Sequence, residues 1–189
     1  MSLEISDHYF KEALQIASPN WDDRYGQSGG TSDISLIVIH NISLPAGHFG
    51  GHFVEELFCN TLAGDSHPDF VDLIELKVSS HLLVRRGGEL VQFVALDKRA
   101  WHAGLSSYDG TENCNDFSIG IELEGTDNCP YNPVQYRLLV DVCRSLILAY
   151  GKLDDDNIVG HSDIAPGRKT DPGDSFDWEL FRHMLRDTR

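Results

Sequence analysis

The segment Leu36-Ile37-Val38-Ile39 constrains the fold more than any other part of the sequence. Consecutive large apolar residues, most of them β-branched, favour a strand that is buried on both of its faces. Such a strand belongs in the centre of a sheet, with other elements packed over it. It leads directly to His40, so we expect this imidazole at the carboxyl end of the strand, where open α/β sheets place their sites.

The remaining pattern of apolar and polar residues predicts both strands and helices around this segment. In chain order, the predicted features are a loop at 25–33, a short helix at 53–62, a β-hairpin of 78–84 and 90–94 with Gly87 and Gly88 in its turn, an alternating strand at 117–123, a helix that begins after Asn132 and ends near Gly151, and a last helix at 178–185. With 189 residues, the chain is long enough for one sizeable core. We therefore expect a single α/β domain over residues 1–189, with a mixed β-sheet flanked by helices.

Composition excludes several classes of protein. No apolar run approaches the ~18 residues that a membrane-spanning helix needs. The first fourteen residues mix charged and apolar side chains and do not resemble an export signal, so a cytoplasmic location is expected. The four cysteines are widely spaced, which favours reduced thiols over a disulfide scaffold or a zinc knuckle.

The charge of the chain bears on its partners. The formal net charge is −15 and the sequence pI is about 4.8. Such a surface repels nucleic acid and anionic membranes, so neither is expected as a partner. A small anionic substrate would bind only where local basic residues overcome the overall field.

The stretch 160–173 contains His161, Asp163 and Asp171 together with two basic residues in a Pro- and Gly-rich segment. The composition is also compatible with a solvated connection, although the turns at Pro166-Gly167 and Pro172-Gly173 suit a loop that must hold ligands still. Catalytic zinc commonly takes three protein ligands from His and carboxylate side chains. His40, His161 and one Asp would supply them, and composition alone does not choose between Asp163 and Asp171.

Glu122 lies in the alternating strand 117–123, on the side opposite the apolar residues. A carboxylate between Ile121 and Leu123 is costly to bury without a partner, so a catalytic role and an exposed position at the edge of the sheet are both compatible with the pattern. Glu124 shares that side of the strand and is the competing candidate.

Five segments together resemble the AmpD family of cytosolic N-acetyl-anhydromuramyl-L-alanine amidases, which is related to phage T7 lysozyme and the peptidoglycan recognition proteins. The segments are 38–45, 78–81, 97–104, 114–127 and 160–173, and the similarity extends from about residue 18 to 178. The resemblance implies the mixed-sheet fold of that family. It also implies hydrolysis of the amide between the lactyl group of 1,6-anhydro-N-acetylmuramic acid and the L-alanine of a muropeptide, during peptidoglycan recycling. In bacteria with an inducible β-lactamase, that reaction is tied to induction.

The resemblance also implies roles for single residues. It makes His40, His161 and Asp171 the ligands of one zinc ion, and it makes Glu122 and Lys169 the catalytic residues. Zinc activates water and polarises a carbonyl, a carboxylate moves the proton, and an ammonium stabilises the oxyanion.

Substrate recognition is expected to involve Trp101 and Asn41, while His81 is expected to be structural and His102 not to be a ligand. At Lys77 and Asn113 the family usually carries arginines that would bind carboxylates of the stem peptide. Lysine offers only a point charge and asparagine none, so weaker stem-peptide binding is expected.

Three other functions compete with this hypothesis. A non-catalytic muropeptide sensor would be expected to have lost a ligand or the glutamate, and this chain keeps them. An amidase that trims intact cell wall would be expected to carry an export signal or a wall-binding extension. A generic metal-dependent esterase is the third. The oligomeric state does not follow from the sequence, and a monomer is expected.

Overall fold

The computed structural model of the chain describes residues 3–24 and 33–187. Apart from Asp33, the loop predicted at 25–33 lies outside these described residues. Within them, no helix is long and apolar enough to cross a membrane.

The described residues form short strands at the N-terminus, longer strands in the middle of the chain, and four α-helices. The strands are β1 (Ile5–Ser6), β2 (Tyr9–Phe10), β3 (Leu14–Gln15), β4 (Trp21–Asp23), β5 (Leu36–Ile42), β6 (Leu82–Val84), β7 (Leu90–Gln92), β8 (Lys98–Ala100), β9 (Ser107–Tyr108), β10 (Thr111–Glu112), β11 (Ser118–Glu124) and β12 (Ile158–Gly160). The helices are α1 (Phe53–Phe58), α2 (Pro133–Ala149), α3 (His161–Ile164) and α4 (Trp178–Arg186).

The main sheet of the described chain has six strands in the order β12-β5-β11-β6-β7-β3. Strands β12, β5, β11 and β6 run parallel to one another, while β6 and β7 form an antiparallel hairpin. Gly88 adopts a φ of +89° in the hairpin turn, a conformation that glycine reaches without strain. The sheet is therefore mixed and flanked by helices, and the predicted fold class is confirmed.

The core lies on both faces of this sheet. Ile37 and Ile39 of β5 pack with α2 and α4 on one face. Leu36 and Val38 point to the other face, towards a smaller cluster that includes Ala103, Cys114 and Ile164. The apolar run therefore is a strand buried on both sides, as predicted, because its alternate residues serve two different apolar clusters.

Several element boundaries in the structure differ from the predicted ones. Strand β5 extends to Ile42, so His40 lies within the strand and not just beyond its end. The helix predicted at 53–62 ends at Phe58. Helix α2 begins after Asn132, as predicted, and Asn132 forms a capping box with Gln135 there, but the helix ends at Ala149, two residues before Gly151.

Two elements near the C-terminus were not predicted. Strand β12 and the single-turn helix α3 fill part of a stretch that its Pro, Gly and charged residues had suggested was a loop. Pairing with β5 stabilises this short edge strand, and that pairing leaves no periodic signal in so few residues.

Candidate metal centre and active site

Three chemically active side chains meet where parallel strands end. His40 and Glu122 lie opposite each other in the paired strands β5 and β11. His40 is an even number of residues after Leu36 in β5, and Glu122 is an even number after Ser118 in β11. Both side chains therefore lie on the same face of the sheet, opposite the face covered by α2. His161 directly follows β12, the other neighbour of β5, and is the first residue of α3. The carboxyl ends of parallel strands lie at one edge, so the fold brings these side chains together.

Asp171 completes a compact group of three metal-binding side chains. The distances are 2.9 Å between the Nδ1 atoms of His40 and His161, 3.2 Å from His40 Nδ1 to Asp171 Oδ2, and 3.0 Å from His161 Nδ1 to the same oxygen. Asp171 lies in the loop after α3, and its carbonyl oxygen accepts a hydrogen bond from Ser162 N at 3.0 Å. Asp163 is used elsewhere, because its carboxylate accepts from Gly160 N at 2.7 Å.

This group could hold one metal ion. A tetrahedral zinc site with bonds of about 2.0–2.1 Å separates neighbouring ligand atoms by about 3.3 Å, close to the spacing of these three atoms. The two imidazoles are almost fully buried. Burial lowers the pKa of His40 to about 4, so its imidazole is neutral near pH 7, as a metal ligand must be. Two neutral imidazoles and one carboxylate are a donor set that fits zinc.

Glu122 is a buried carboxyl group in the same groove as these candidate ligands. It is 8% exposed, and its Oε2 has no hydrogen-bond partner among the described residues. Burial raises the pKa of Glu122 well above its ordinary value, and the nearby Asp171 charge acts in the same direction, while Lys169 opposes both. A carboxyl group with a raised pKa and an unused oxygen is suited to taking up and releasing a proton near neutral pH.

Glu124, the competing candidate, is occupied by structural contacts. Its carboxylate accepts hydrogen bonds from Gly50 N and, at 2.9 Å, from Arg86 N. Arg85 lies 3.7 Å from the same carboxylate. Glu124 thus fastens the loop before α1 and the turn of the β6–β7 hairpin to the end of β11, and it has no free oxygen to offer a substrate.

A groove of about 260 Å³ exposes these residues to solvent. Lys169 lines it together with the three candidate ligands and Glu122. Its apolar wall consists of Ile42, Phe58, Leu76, Val78 and the ring of Trp101. A polar cleft of about 460 Å³ continues from it and shares Asn41, Ile42, Lys169 and Asp171. The site therefore combines polar, titratable groups with a wall that can cover an apolar or ring-shaped part of a ligand.

The residues predicted to bind substrate are placed differently from one another. Trp101 lines the groove, and its Nε1 donates to Asp22 at 3.1 Å, which fixes the ring. Asn41 also lines the groove, and its Nδ2 donates to Asp127 at 2.7 Å. Lys77 is exposed and lies in the chain between the lining residues Leu76 and Val78.

Asn113 does not line this groove and instead belongs to a separate cleft of about 400 Å³, which also contains Arg168. Its φ of +59° is left-handed, a conformation that asparagine tolerates better than most residues. Asn113 thus has a backbone role that the sequence alone did not reveal.

Sequence reasoning missed the groups behind the two histidines that are candidate ligands. His161 Nε2 lies 3.1 Å from the carbonyl oxygen of Ala103, and His40 Nε2 lies 3.0 Å from Nδ1 of His102. The one available signal was Gly120, because a glycine inside a strand often marks the close approach of another group. His81, predicted to be structural, lies 3.0 Å from Gly120 N, which donates to its Nδ1, and 2.9 Å from the carbonyl of Lys98.

Comparison with known proteins identifies close relatives of the chain. Residues 30–174 match the family model described as N-acetylmuramoyl-L-alanine amidase, Amidase_2. The chain is 52% identical over 173 residues to the 1,6-anhydro-N-acetylmuramyl-L-alanine amidase AmpD of Escherichia coli strain K12, and the alignment covers 92% of each chain.

Solved structures agree with the sequence comparison. A crystal structure of a selenomethionine AmpD derivative superposes with a TM-score of 0.92 at 49% identity, and the match covers 97% of this chain and 99% of that one. The E. coli amidase AmiD, solved with the substrate anhydro-N-acetylmuramic acid-L-Ala-D-γ-Glu-L-Lys, gives a TM-score of 0.60 at 30% identity, over 85% of this chain and 60% of that one.

Proposed function

The chain belongs to the N-acetylmuramoyl-L-alanine amidase family, and we propose that it acts on 1,6-anhydro-muropeptides in peptidoglycan recycling. The reaction is hydrolysis of the amide between the lactyl group of 1,6-anhydro-N-acetylmuramic acid and the L-alanine of the stem peptide. Similarity to AmpD amidases over nearly the whole chain supports this substrate. The observation that carries the chemistry is the group of buried His40 and His161 with half-buried Asp171, which shares one groove with Glu122, whose Oε2 has no partner among the described residues.

We propose that His40, His161 and Asp171 hold one zinc ion through the two Nδ1 atoms and a carboxylate oxygen. The spacing of these atoms and the neutral state of His40 support that assignment. A bound zinc supplies Lewis acidity, which lowers the pKa of water to near 7 and polarises a carbonyl.

Glu122 carries the protons. Its carboxylate takes a proton from the attacking water as the water oxygen forms a bond to the lactyl carbonyl carbon. The same carboxyl group then gives that proton to the nitrogen of L-alanine as the carbon–nitrogen bond breaks, because an amine leaves poorly as an anion. Lys169 lies in the same groove, and its ammonium stabilises the negative charge that develops on the carbonyl oxygen.

The remaining candidates concern recognition of the substrate. Trp101 offers a fixed aromatic face to the sugar or peptide, and Asn41 offers its amide at the point where the groove and the polar cleft meet. Lys77 and Asn113 replace two arginines of the family, so we propose weak recognition of the distal carboxylates of the stem peptide.

We further propose that the enzyme works as a monomer of one domain in the cytoplasm. The four cysteines are unpaired, which is typical of proteins in a reducing compartment. Separation of cell fractions, with the amidase activity followed in each, tests the location. Size-exclusion chromatography with light scattering tests the monomer.

The substrate assignment is tested by mass spectrometry of the products from three substrates offered side by side. These are a 1,6-anhydro-muropeptide, the same muropeptide with a reducing end, and intact sacculi. We expect release of the stem peptide mainly from the anhydro form and little action on sacculi. Equal rates on the two small substrates would refute anhydro specificity, and rapid release from sacculi would favour a wall-trimming amidase.

A further inference from the structure

His102 lies directly behind the candidate ligand His40. His40 Nε2 lies 3.0 Å from His102 Nδ1, and the two rings meet edge to face with their centroids 5.1 Å apart. On the far side of the His102 ring, its Nε2 lies 3.1 Å from the hydroxyl oxygen of Ser118. That hydroxyl in turn donates to the carbonyl oxygen of Cys114 at 2.5 Å. The four groups thus form a continuous chain that begins at a ligand and ends at the backbone.

The end of this chain fixes the direction of every hydrogen bond in it. The carbonyl of Cys114 can only accept, so the single proton of the Ser118 hydroxyl is directed to it. Ser118 must therefore accept from His102 Nε2–H. A neutral imidazole has one proton, so His102 Nδ1 is bare and accepts from His40 Nε2–H. His40 Nδ1 is then also bare, and its lone pair points at Asp171 and His161.

The fold makes room for the His102 ring at one position of β11. A Cβ added to Gly120 would lie 2.4 Å from Cγ of His102, far inside van der Waals contact. Gly120 is thus required by the ring and not by its backbone conformation. His161 needs no such relay, because its Nε2 reaches the carbonyl of Ala103 directly.

We propose that His102 is a positioning residue which, with Ser118, holds His40 in the Nε2–H tautomer and in the orientation that presents Nδ1 to the metal. The inference rests on the proposed function, since it takes His40 to be a zinc ligand. Groups that orient a histidine ligand from behind typically change metal affinity by about 10–100-fold when they are removed.

Two amide substitutions separate hydrogen bonding from packing. His102→Asn places an amide oxygen near the position of Nδ1 and can still accept from His40, whereas His102→Gln reaches towards Ser118 and leaves His40 without an acceptor. We expect His102→Asn to keep the zinc affinity within a few-fold of the parent, measured by competition with a chromogenic chelator. We expect His102→Gln and His102→Leu to weaken it about 10–100-fold.

A role in packing alone predicts another order, because glutamine is closer to histidine in volume than asparagine is. Equal zinc affinities for the Asn and Gln variants, or a stronger Gln variant, would therefore overturn the proposal. Ser118→Ala tests the relay without changing the ring. It should also weaken zinc binding. Without the Ser118 hydroxyl, His102 in the metal-free protein can carry its proton on Nδ1, which faces His40, and His40 then loses its acceptor. Ser145→Ala, which removes another buried hydroxyl in α2, should leave zinc affinity unchanged.

The parent protein gives an independent result even where a variant fails to fold. Nitrogen-15 NMR of the zinc-loaded, histidine-labelled chain should place the His102 proton on Nε2 and leave Nδ1 bare. A proton on His102 Nδ1 would contradict the relay. Failure of the metal site itself would look different: the parent would bind no zinc, or His40→Ala would bind it as tightly as the parent.

Discussion

Replacing Glu122 by Gln changes a buried carboxyl group into an amide of almost the same shape. The side chain lies in β11, and the proposed ligands come from other elements of the fold, so the variant should still bind zinc. What the variant loses is the ability to accept a proton from water and to return one to the leaving amine. The substitution therefore separates metal binding from catalysis at a single position.

The expected magnitude follows from the role of a positioned proton carrier. Such a group contributes about 10²–10⁴ in rate, or about 2.7–5.5 kcal/mol of activation free energy. We expect kcat of Glu122→Gln to fall by at least that lower factor. KM should change little, because the lost interaction is made mainly in the transition state.

Although Glu122→Gln should lower kcat, it should raise the stability of the metal-free protein. Because burial raises the pKa of Glu122 above its ordinary value of 4.5, the folded state binds more protons than the unfolded state just above pH 4.5. Stability of the chelated parent therefore falls as pH rises from there towards the raised pKa. Gln does not ionise, so the melting temperature of the chelated variant should exceed that of the parent near pH 8, and the gap should close towards pH 4.5.

The assay combines zinc analysis, single-turnover kinetics on an anhydro-muropeptide, and thermal unfolding at several pH values. Glu179→Gln, at an exposed position in α4, is the matched control and should resemble the parent in all three measurements. Loss of zinc from Glu122→Gln would mean that the residue is a ligand or a structural support. A variant that kept its kcat would show that another group carries the proton.

Three further predictions follow from the same geometry. The parent should bind about one zinc per chain, and replacing His40, His161 or Asp171 by Ala should remove that zinc and abolish turnover. Asp174→Ala, at an exposed position, should keep both zinc and turnover. Metal analysis and product formation test these expectations. Glu124→Ala should lower the free energy of unfolding by about 0.5–1.5 kcal/mol for each of the two hydrogen bonds lost, seen as a fall in melting temperature of about 2–4 °C per kcal/mol. An unchanged melting temperature would contradict the structural role of Glu124. Lys77→Arg, beside the lining residues Leu76 and Val78, should lower KM for a tripeptide substrate, because a guanidinium can bind a carboxylate through two hydrogen bonds where an ammonium offers only a point charge. KM for a substrate without the distal residue should not change, and an equal response of the two substrates would refute recognition of the distal carboxylate.

Local sequence was sufficient where one segment carried the whole signal. The β-branched run before His40 predicted a central strand, and the sequence around Asn132 predicted the start of α2. The mixed sheet followed from strands and helices that alternate imperfectly around an embedded hairpin. The gathering of His40, His161 and Asp171 came from the resemblance, because composition left Asp163 and Asp171 equal.

The rest depends on contacts between distant parts of the chain. Alternation in β11 could not separate Glu122 from Glu124, because both lie on one face and both are buried. The distinction is that Glu124 meets the amides of Gly50 and Arg86, from loops far away in sequence. His102 was likewise set aside, since its contact with His40 spans 62 residues and no spacing rule predicts it.

The register of the central strands connects the core to the chemistry. In β5 the residues at 37 and 39 face α2 and α4, so the residue at 40 must face the other side. The same alternation in β11 places Ile119 and Ile121 in the core and Glu122 on the opposite face, beside His40, its partner in the parallel pair. A slip of one residue in either strand would expose its apolar set and turn the active side chain to the opposite face. The apolar residues that stabilise the sheet thus also hold His40 and Glu122 in position, and neither active residue can be repositioned along its strand without disrupting the core.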